Sequence, residues 1–426
     1  MTAIETLRSS LFTVDGRHRF AQACLARPVR SLIAVYLLTR IVALASIWVA
    51  ARYYQVPAGV GHLEPGLRDM LGIWDGSWYY QIVTEGYPIP LPSDPQTGQI
   101  TYSAWAFFPL FPLLVRALMV TGLGFVEASM LLNLVLGCLA VVLIFKVLSF
   151  PVHAASQPAR DRLAFVAACL WCCYPATAVL LLPYTEALAA VLIGAALLLL
   201  MRQQYLGFAV IALLLGYTRG VAPALGMAVL VHLWVRWREE RGASKRPLAH
   251  DRWKIVVMLA ATAVSAVAWP VTVGLISGLP GAFFQTQAAW GQRPDQGPFV
   301  LWFSWAWEQH GLFAVIVMVA LVGTYLALII GRHGAWLPLE VRMWALAYPL
   351  YLFAVVRPIT SMWRFLLLDF PLAALVASVA MRTSSGRQVV THWRRRVAVV
   401  VLALLGGVFA WSTGLLPYVP WHVTPP

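Results

Sequence analysis

Apolar runs of about 17 to 24 residues recur along this chain, and each is long enough for a helix to cross the roughly 30 Å hydrocarbon layer of a bilayer. They leave no stretch big enough for a separate soluble domain, so residues 1–426 read as one integral-membrane domain. The fold class expected is all-α and polytopic. The composition agrees, since 61% of residues are hydrophobic and only 11% charged, far outside the soluble globular range.

The net charge of +14 does not point to nucleic acid, because the basic residues sit in short clusters between apolar runs, the distribution that orients helices in a membrane. Lysine occurs only at Lys146, Lys245 and Lys254, and asparagine only at Asn133. This is the bias of a GC-rich genome, and the expected location is a bacterial plasma membrane. Cys24, Cys138, Cys169, Cys172 and Cys173 lie near the terminus or inside apolar runs, which favours packing over zinc or redox chemistry. Residues 1–30 lack the pattern of a cleaved signal, so the first run is expected to remain as a helix.

Arg8, Arg17, Arg19, Arg27 and Arg30 put residues 1–30 in the cytoplasm, before a first span at 31–50. Residues 51–124 then form the first extracytoplasmic loop, with "FFPLFPLLVRAL" (107–118) as an interfacial or re-entrant helix. Further runs follow at 125–149, 163–182 and 185–201. The apolar stretch between Arg202 and "VRWREERGASKRP" is short for two full helices. It reads as a broken pair, 205–217 and 220–235, turning at "YTRG", with Arg219 facing the interior. Runs at 255–277, 311–330, 343–356, 364–381 and 397–416 bring the total to about eleven. Residues 278–310 and 357–364 fall outside, and the C-terminus is also outside.

This topology gathers chemistry on the outer face. "GIWDGSWYYQIVTEGYP" (72–88) carries Asp75 between Trp74 and Trp78. "PYTE" (183–186) carries Glu186, and Arg219, Arg357, Arg364 and the stretch "FFQTQAAWGQR" (283–293) share that side. Ionisable groups at membrane depth are costly and each is by default a functional candidate. Arginine binds phosphate oxygens bidentately without losing its charge. A carboxylate facing such a site can take a proton from an attacking hydroxyl. Together these describe group transfer from a phosphate-linked donor whose tail dissolves in the membrane. Trp74, Trp78, Tyr79, Tyr80 and Trp290 offer stacking surfaces for a sugar.

Plainer readings compete with each of these. Most of the tryptophans fit an interfacial aromatic belt. Asp75, Trp78, Tyr79 and Ile82 fall near one face of a helix, as in an interfacial helix, and on spacing alone Asp75 reads equally well as a helix cap or a catalyst. Arg40 and Arg116 read as snorkelling or paired within the bundle. An ion pair is the plain reading of Arg219 and Arg364. Glu308 and His310 in "WEQH" stand at the outer edge of a helix, where a histidine is commonly structural. No Walker loop, HExxH or serine elbow appears.

"WDGSWYYQIVTEGY" (74–87), "FFPLFPLLVR" (107–116), "PYTEAL" (183–188), "YTRG" (217–220), "FFQTQAAWGQR" (283–293) and "WRFLLLDFPL" (363–372) resemble, in this order, the motifs of PIG-V-type mannosyltransferases, a family of GT-C membrane glycosyltransferases. The resemblance implies a GT-C-type bundle with short interfacial helices in its first outer loop. It implies inverting transfer of mannose from a polyprenyl-phosphate donor to an extracytoplasmic glycolipid or glycan. In it Asp75 is the base, and Arg219 and Arg364 match arginines assigned to the donor phosphate. Arg357, on the same outer face, is a further candidate for that phosphate. Trp74, Trp78, Tyr79, Glu186, Gln287, Trp290, Arg293 and His310 are the substrate-contacting candidates. No metal cofactor is expected, with magnesium or manganese left open. The partners are donor, acceptor and membrane lipids, with no nucleic acid and no obligate protein. The rival reading is a transporter or flippase of a lipid-linked sugar, for which the broken pair near Arg219 is equally suggestive.

Overall fold

The computed structural model describes residues 25–55, 66–151, 156–241, 248–292, 296–382 and 389–417. The arginines at 8, 17 and 19, Glu64 and Arg293 lie outside the described residues, as does Lys245 in the basic loop. Helix α1 (Pro28–Val49) runs into a π turn (Ala50–Tyr54), and Leu32, Tyr36, Arg40, Ala43 and Ile47 form its one buried stripe. Two short helices follow in the first loop, α2 (Leu67–Leu71) and α3 (Asp75–Thr84). Then come α4 (Leu110–Met119), α5 (Phe125–Leu148) and α6 (Gln157–Cys172), which leads into a 3-10 helix at Pro175–Leu181.

The chain continues as α7 (Glu186–Met201), α8 (Tyr205–Gly216), α9 (Ala222–Arg241), α10 (Arg252–Ser277), α11 (Ala282–Ala289) and α12 (Val300–Ile330). It closes with α13 (Leu339–Val355), α14 (Met362–Phe365, prolonged by a 3-10 turn Leu366–Leu368), α15 (Pro371–Met381) and α16 (Trp393–Gly414). Among the described residues the only β pairings are two isolated bridges. The protein is an all-helical integral membrane protein.

A helix stands at each of the predicted runs, but they are not equal. Among the described residues five are long and apolar enough to cross a membrane, or up to seven if each of two bent pairs is one span. The broken pair around "YTRG" is present as α8 and α9. Two runs expected to be continuous are instead broken. The run at 163–182 bends by 73° between α6 and the 3-10 helix, and the run at 364–381 bends by 79° between α14 and α15. The residues expected as loop before the run at 311–330 are largely helical, because α12 begins at Val300 and passes a non-helical joint at His310 and Gly311. At 31 residues it would measure about 46 Å if straight, more than the hydrocarbon core needs.

Broken helices inside a bundle leave backbone groups that lipid cannot satisfy. Here side chains from neighbouring helices do so. Arg40 donates to the carbonyls of Thr177 and Cys172, the latter at 3.0 Å, and to Thr177 Oγ1 at 2.7 Å. Asn133 Nδ2 donates to Leu182 O at 2.5 Å and Tyr184 O at 3.1 Å. Arg40, expected to snorkel or pair, is therefore the clasp of the first bend. At the second bend Tyr348 Oη donates to Phe365 O at 2.9 Å, Trp171 Nε1 to Leu367 O at 2.9 Å and Trp344 Nε1 to Leu368 O at 3.1 Å.

Helices α8 and α10 approach so closely that a Cβ on Gly216 would fall 2.7 Å from Ser265 O and 2.8 Å from its Cα. Small residues permit such backbone contact in membranes. Gly216→Val is expected to cost about 1–3 kcal/mol, read as a lowered Tm of the detergent-solubilised protein. An unchanged Tm would show that the two helices separate at no cost.

Candidate active site

The breaks deliver four charged side chains to one end of the bundle. Glu186 is the first residue of α7, Arg219 lies in the turn between α8 and α9, Arg364 is in α14 and Asp75 opens α3. Glu186 is fully buried, and its Oε1 accepts from Arg219 Nη1 at 2.9 Å and from Arg364 Nη1 at 3.2 Å. Arg364 Nη2 reaches the other way, to Asp75 Oδ2 at 2.5 Å. The result is an alternating chain of Asp75, Arg364, Glu186 and Arg219 whose charges sum to zero. Aromatic faces complete the setting. Arg219 lies 4.5 Å from the Phe365 ring, and Arg364 lies 4.8 Å from Tyr184 and 5.0 Å from Phe365.

Asp75 does not cap its helix. Trp74 occupies the cap position, no side chain makes the capping hydrogen bond, and the Asp75 carboxylate is turned to Arg364. The backbone of Trp74 has φ +59°, a strained value for a bulky residue. Its indole Nε1 donates to Leu416 O at 2.7 Å, which ties this corner to the end of α16. Burial pushes the Asp75 carboxyl above the usual carboxylate range, and the Arg364 guanidinium opposes that shift.

Asp75 faces a cavity of about 1490 Å³. Of the predicted site residues, Trp74, Asp75, Trp78, Tyr79, Arg219, Gln287, Trp290, Arg357 and Arg364 line it. One wall is aromatic. Trp78 stacks on Phe107 with centroids 5.9 Å apart, and Trp290 stands edge-on to both, at 5.4 and 5.6 Å. Tyr79 packs edge-on against Phe107 and Phe111. Gln287 Nε2 donates to Ala106 O at 3.2 Å, fastening α11 to the loop that carries Phe107. The tryptophans expected either in a membrane belt or at a sugar platform thus wall the cavity.

Arg357 differs from the other two arginines. Its backbone N–H donates to Gln292 Oε1 at 3.1 Å, and its guanidinium lies against Gly291, where a Cβ would fall 2.7 Å from Cζ. Gly291 has φ +80°, so a side chain there would strain the backbone as well. Among the described residues Arg357 faces no carboxylate within ion-pair distance, and its Nε is buried without a hydrogen-bond partner.

Two expected residues do not join the wall, and a third cannot be placed against it. Glu186 sits behind it, reaching the cavity only through the arginines. His310 is exposed at the joint in α12, away from the lining, and Arg293 lies outside the described residues. Tyr184 and Phe365, which seat the arginines, and Tyr102, edge-on to Trp290 at 5.0 Å, escaped the sequence reading. Aromatics are too common in this chain for three more to stand out. Among the described residues no group of three or more His, Cys, Asp and Glu side chains could hold a metal ion.

No protein-family model matches the chain, and no curated protein matches it. Among solved structures it is similar to the Archaeoglobus fulgidus oligosaccharyltransferase tethered by a disulfide to an acceptor peptide containing the NVT sequon. The similarity has 13% identity and a TM-score of 0.43, and it covers 93% of this chain and 56% of that one. The chain thus spans little more than half the length of that neighbour.

Removing one member of a buried pair strands the other, at about 3–5 kcal/mol. Glu186→Gln is expected to cost that much, read by chemical unfolding in detergent. The double variant Glu186→Gln/Arg219→Met restores neutrality and should lose less than the two singles summed. Strict additivity would mean that the charges are not coupled.

Proposed function

We propose that this protein is a membrane glycosyltransferase that moves a sugar, with inversion, from a polyprenyl-phosphate donor to a glycolipid or glycan acceptor. The observation that carries the reading is a buried carboxylate in the wall of a large cavity that also holds an aromatic wall and a guanidinium, Arg357, with no carboxylate partner among the described residues. In this reading Asp75 takes the proton of the acceptor hydroxyl as its oxygen bonds to the anomeric carbon. The bond from that carbon to the phosphate oxygen breaks on the opposite face, and the lipid phosphate leaves with the electron pair.

Arg357 is assigned to the departing phosphate, because Arg219 and Arg364 are already neutralised by Glu186 and Asp75. A fixed cation where negative charge develops lowers the barrier without reorganisation. Arg364 then acts on the base, holding the Asp75 carboxylate in one orientation. The motif order from "WDGSWYYQIVTEGY" to "WRFLLLDFPL" favours mannose as the sugar. The same resemblance and the charge distribution favour an extracytoplasmic site in a bacterial plasma membrane, entered by the donor from the bilayer. No step is assigned to a metal, and loss of activity in chelator restored by magnesium or manganese would require one.

In proteoliposomes supplied with polyprenyl-phosphate mannose and glycolipid acceptor, Asp75→Asn is expected to lower kcat by about 10²–10⁴-fold. Transfer at the wild-type rate would remove Asp75 as the base. Donor flipped across the bilayer without product would establish the transporter reading instead. Arg357→Ala should lower kcat/KM for the donor by about 10- to 100-fold, and an unchanged kcat/KM would end its phosphate role.

The pH profile follows from the burial of Asp75. A base works only when deprotonated, and its carboxyl is held above the usual carboxylate range. The rate is therefore expected to fall on acidification at a higher pH than a solvated aspartate would give. Arg364→Gln removes an interaction that lowers that value and should move the acid limb further up. A limb that stays in place would show that another group controls it.

A further inference from the structure

The opposite end of the bundle carries a second cavity, of about 530 Å³, between α12, α15 and α16. Its wall is aliphatic, with Leu328, Leu375, Val379 and Val399 among the lining residues, and it extends to Arg395 and Arg396. Val399 is 61% exposed and Val379 38%, so the groove opens on the outside of the bundle, where lipid chains run.

The charge beside these two arginines is one-sided. Arg395 and Arg396 belong to the first turn of α16, Arg382 follows the last turn of α15, and Arg332 follows α12. Arg332 and Arg382 stand close enough to His333 to act on it electrostatically, and His333 Nδ1 meets Ser378 Oγ of α15 at 3.2 Å. No Asp or Glu occurs anywhere from residue 370 to 426. Carboxylates on the surrounding elements have partners of their own. Asp161 of α6, the helix packed on α15, accepts from Gln157 Nε2 at 2.7 Å. Glu340 meets His232 at 2.8 Å, and Asp251 meets Lys254 at 3.3 Å and Arg236 at 3.6 Å.

We infer that this groove is a binding site for an anionic phospholipid, with an acyl chain along Leu328, Val379 and Val399 and the headgroup phosphate on Arg395 and Arg396. Apolar length joined to unopposed positive charge fits that chemistry and no neutral lipid. The site is separate from the proposed transferase centre and stands or falls without it.

The test uses the full-length protein in nanodiscs of phosphatidylcholine, titrated with phosphatidylglycerol. Retained lipid is read by native mass spectrometry and stability by Tm. The wild type should retain phosphatidylglycerol and gain Tm, with no gain from phosphatidylcholine. Arg395→Gln/Arg396→Gln should weaken this about 30-fold, and Arg395→Lys/Arg396→Lys should recover most of it. Val399→Trp fills the groove but keeps both arginines, and it too should lose the long-chain lipid, with Val379→Phe as the alternative if it does not fold. Equal retention of the two lipids, or wild-type binding by the glutamine variant, would overturn the inference. So would a glycerol phosphate without acyl chains that stabilises as well as the lipid, since the groove would then be a free phosphate site.

Discussion

A polypeptide inside a membrane bundle can abandon the helix only where other groups take up its backbone hydrogen bonds, and the architecture of this protein follows from how it meets that demand. The end that holds the candidate site is made of breaks. The bend after α6, the turn between α8 and α9, and the bend after α14 each open a short stretch of non-helical chain, and these stretches carry or adjoin Glu186, Arg219 and Arg364. Arg40 and Asn133 satisfy the first bend from α1 and α5, while Trp171, Trp344 and Tyr348 satisfy the last. A polar residue far from the chemistry in sequence is thus a condition for the site existing at all.

On that scaffold, electrostatics separates Arg219 and Arg364, which are ion-paired, from Arg357. Two carboxylates and two guanidinium groups form a neutral chain in a low-dielectric interior, where an unpaired charge is expensive. Neutrality within the chain sets it apart from Arg357, a cation of the cavity wall with no carboxylate partner among the described residues. The same chain fixes the direction of Asp75 and tempers the effect of its burial. The proposed chemistry then requires no movement of these groups, only the arrival of a donor and an acceptor.

Much of the helical layout was legible in the sequence because lipid imposes length and polarity on each run. The break at "YTRG" was legible for a stronger reason: the apolar stretch was too short to cross twice. The bends after Cys172 and Leu368 were not. Pro175 and Pro371 open the second piece of each, but Pro270 and Pro349 sit inside intact helices, so proline alone does not say where a helix ends. What decides is whether Arg40, Asn133 or a tryptophan stands opposite to accept the cost. The dual reading of Asp75 as cap or catalyst was open for the same reason, since both need an aspartate at the start of a short helix and they differ only in the partner.

The sequence by itself determined that this chain is a bundle of apolar helices and which charged side chains it cannot hide: Asp75, Glu186, Arg219, Arg357 and Arg364 are conspicuous because charge at membrane depth is rare and costly. Only the tertiary structure decided which of them neutralise one another. Pairing depends on distances between residues on different helices, as far apart in the chain as Asp75 and Arg364, and those distances are set by the packing of whole helices, which no local pattern encodes.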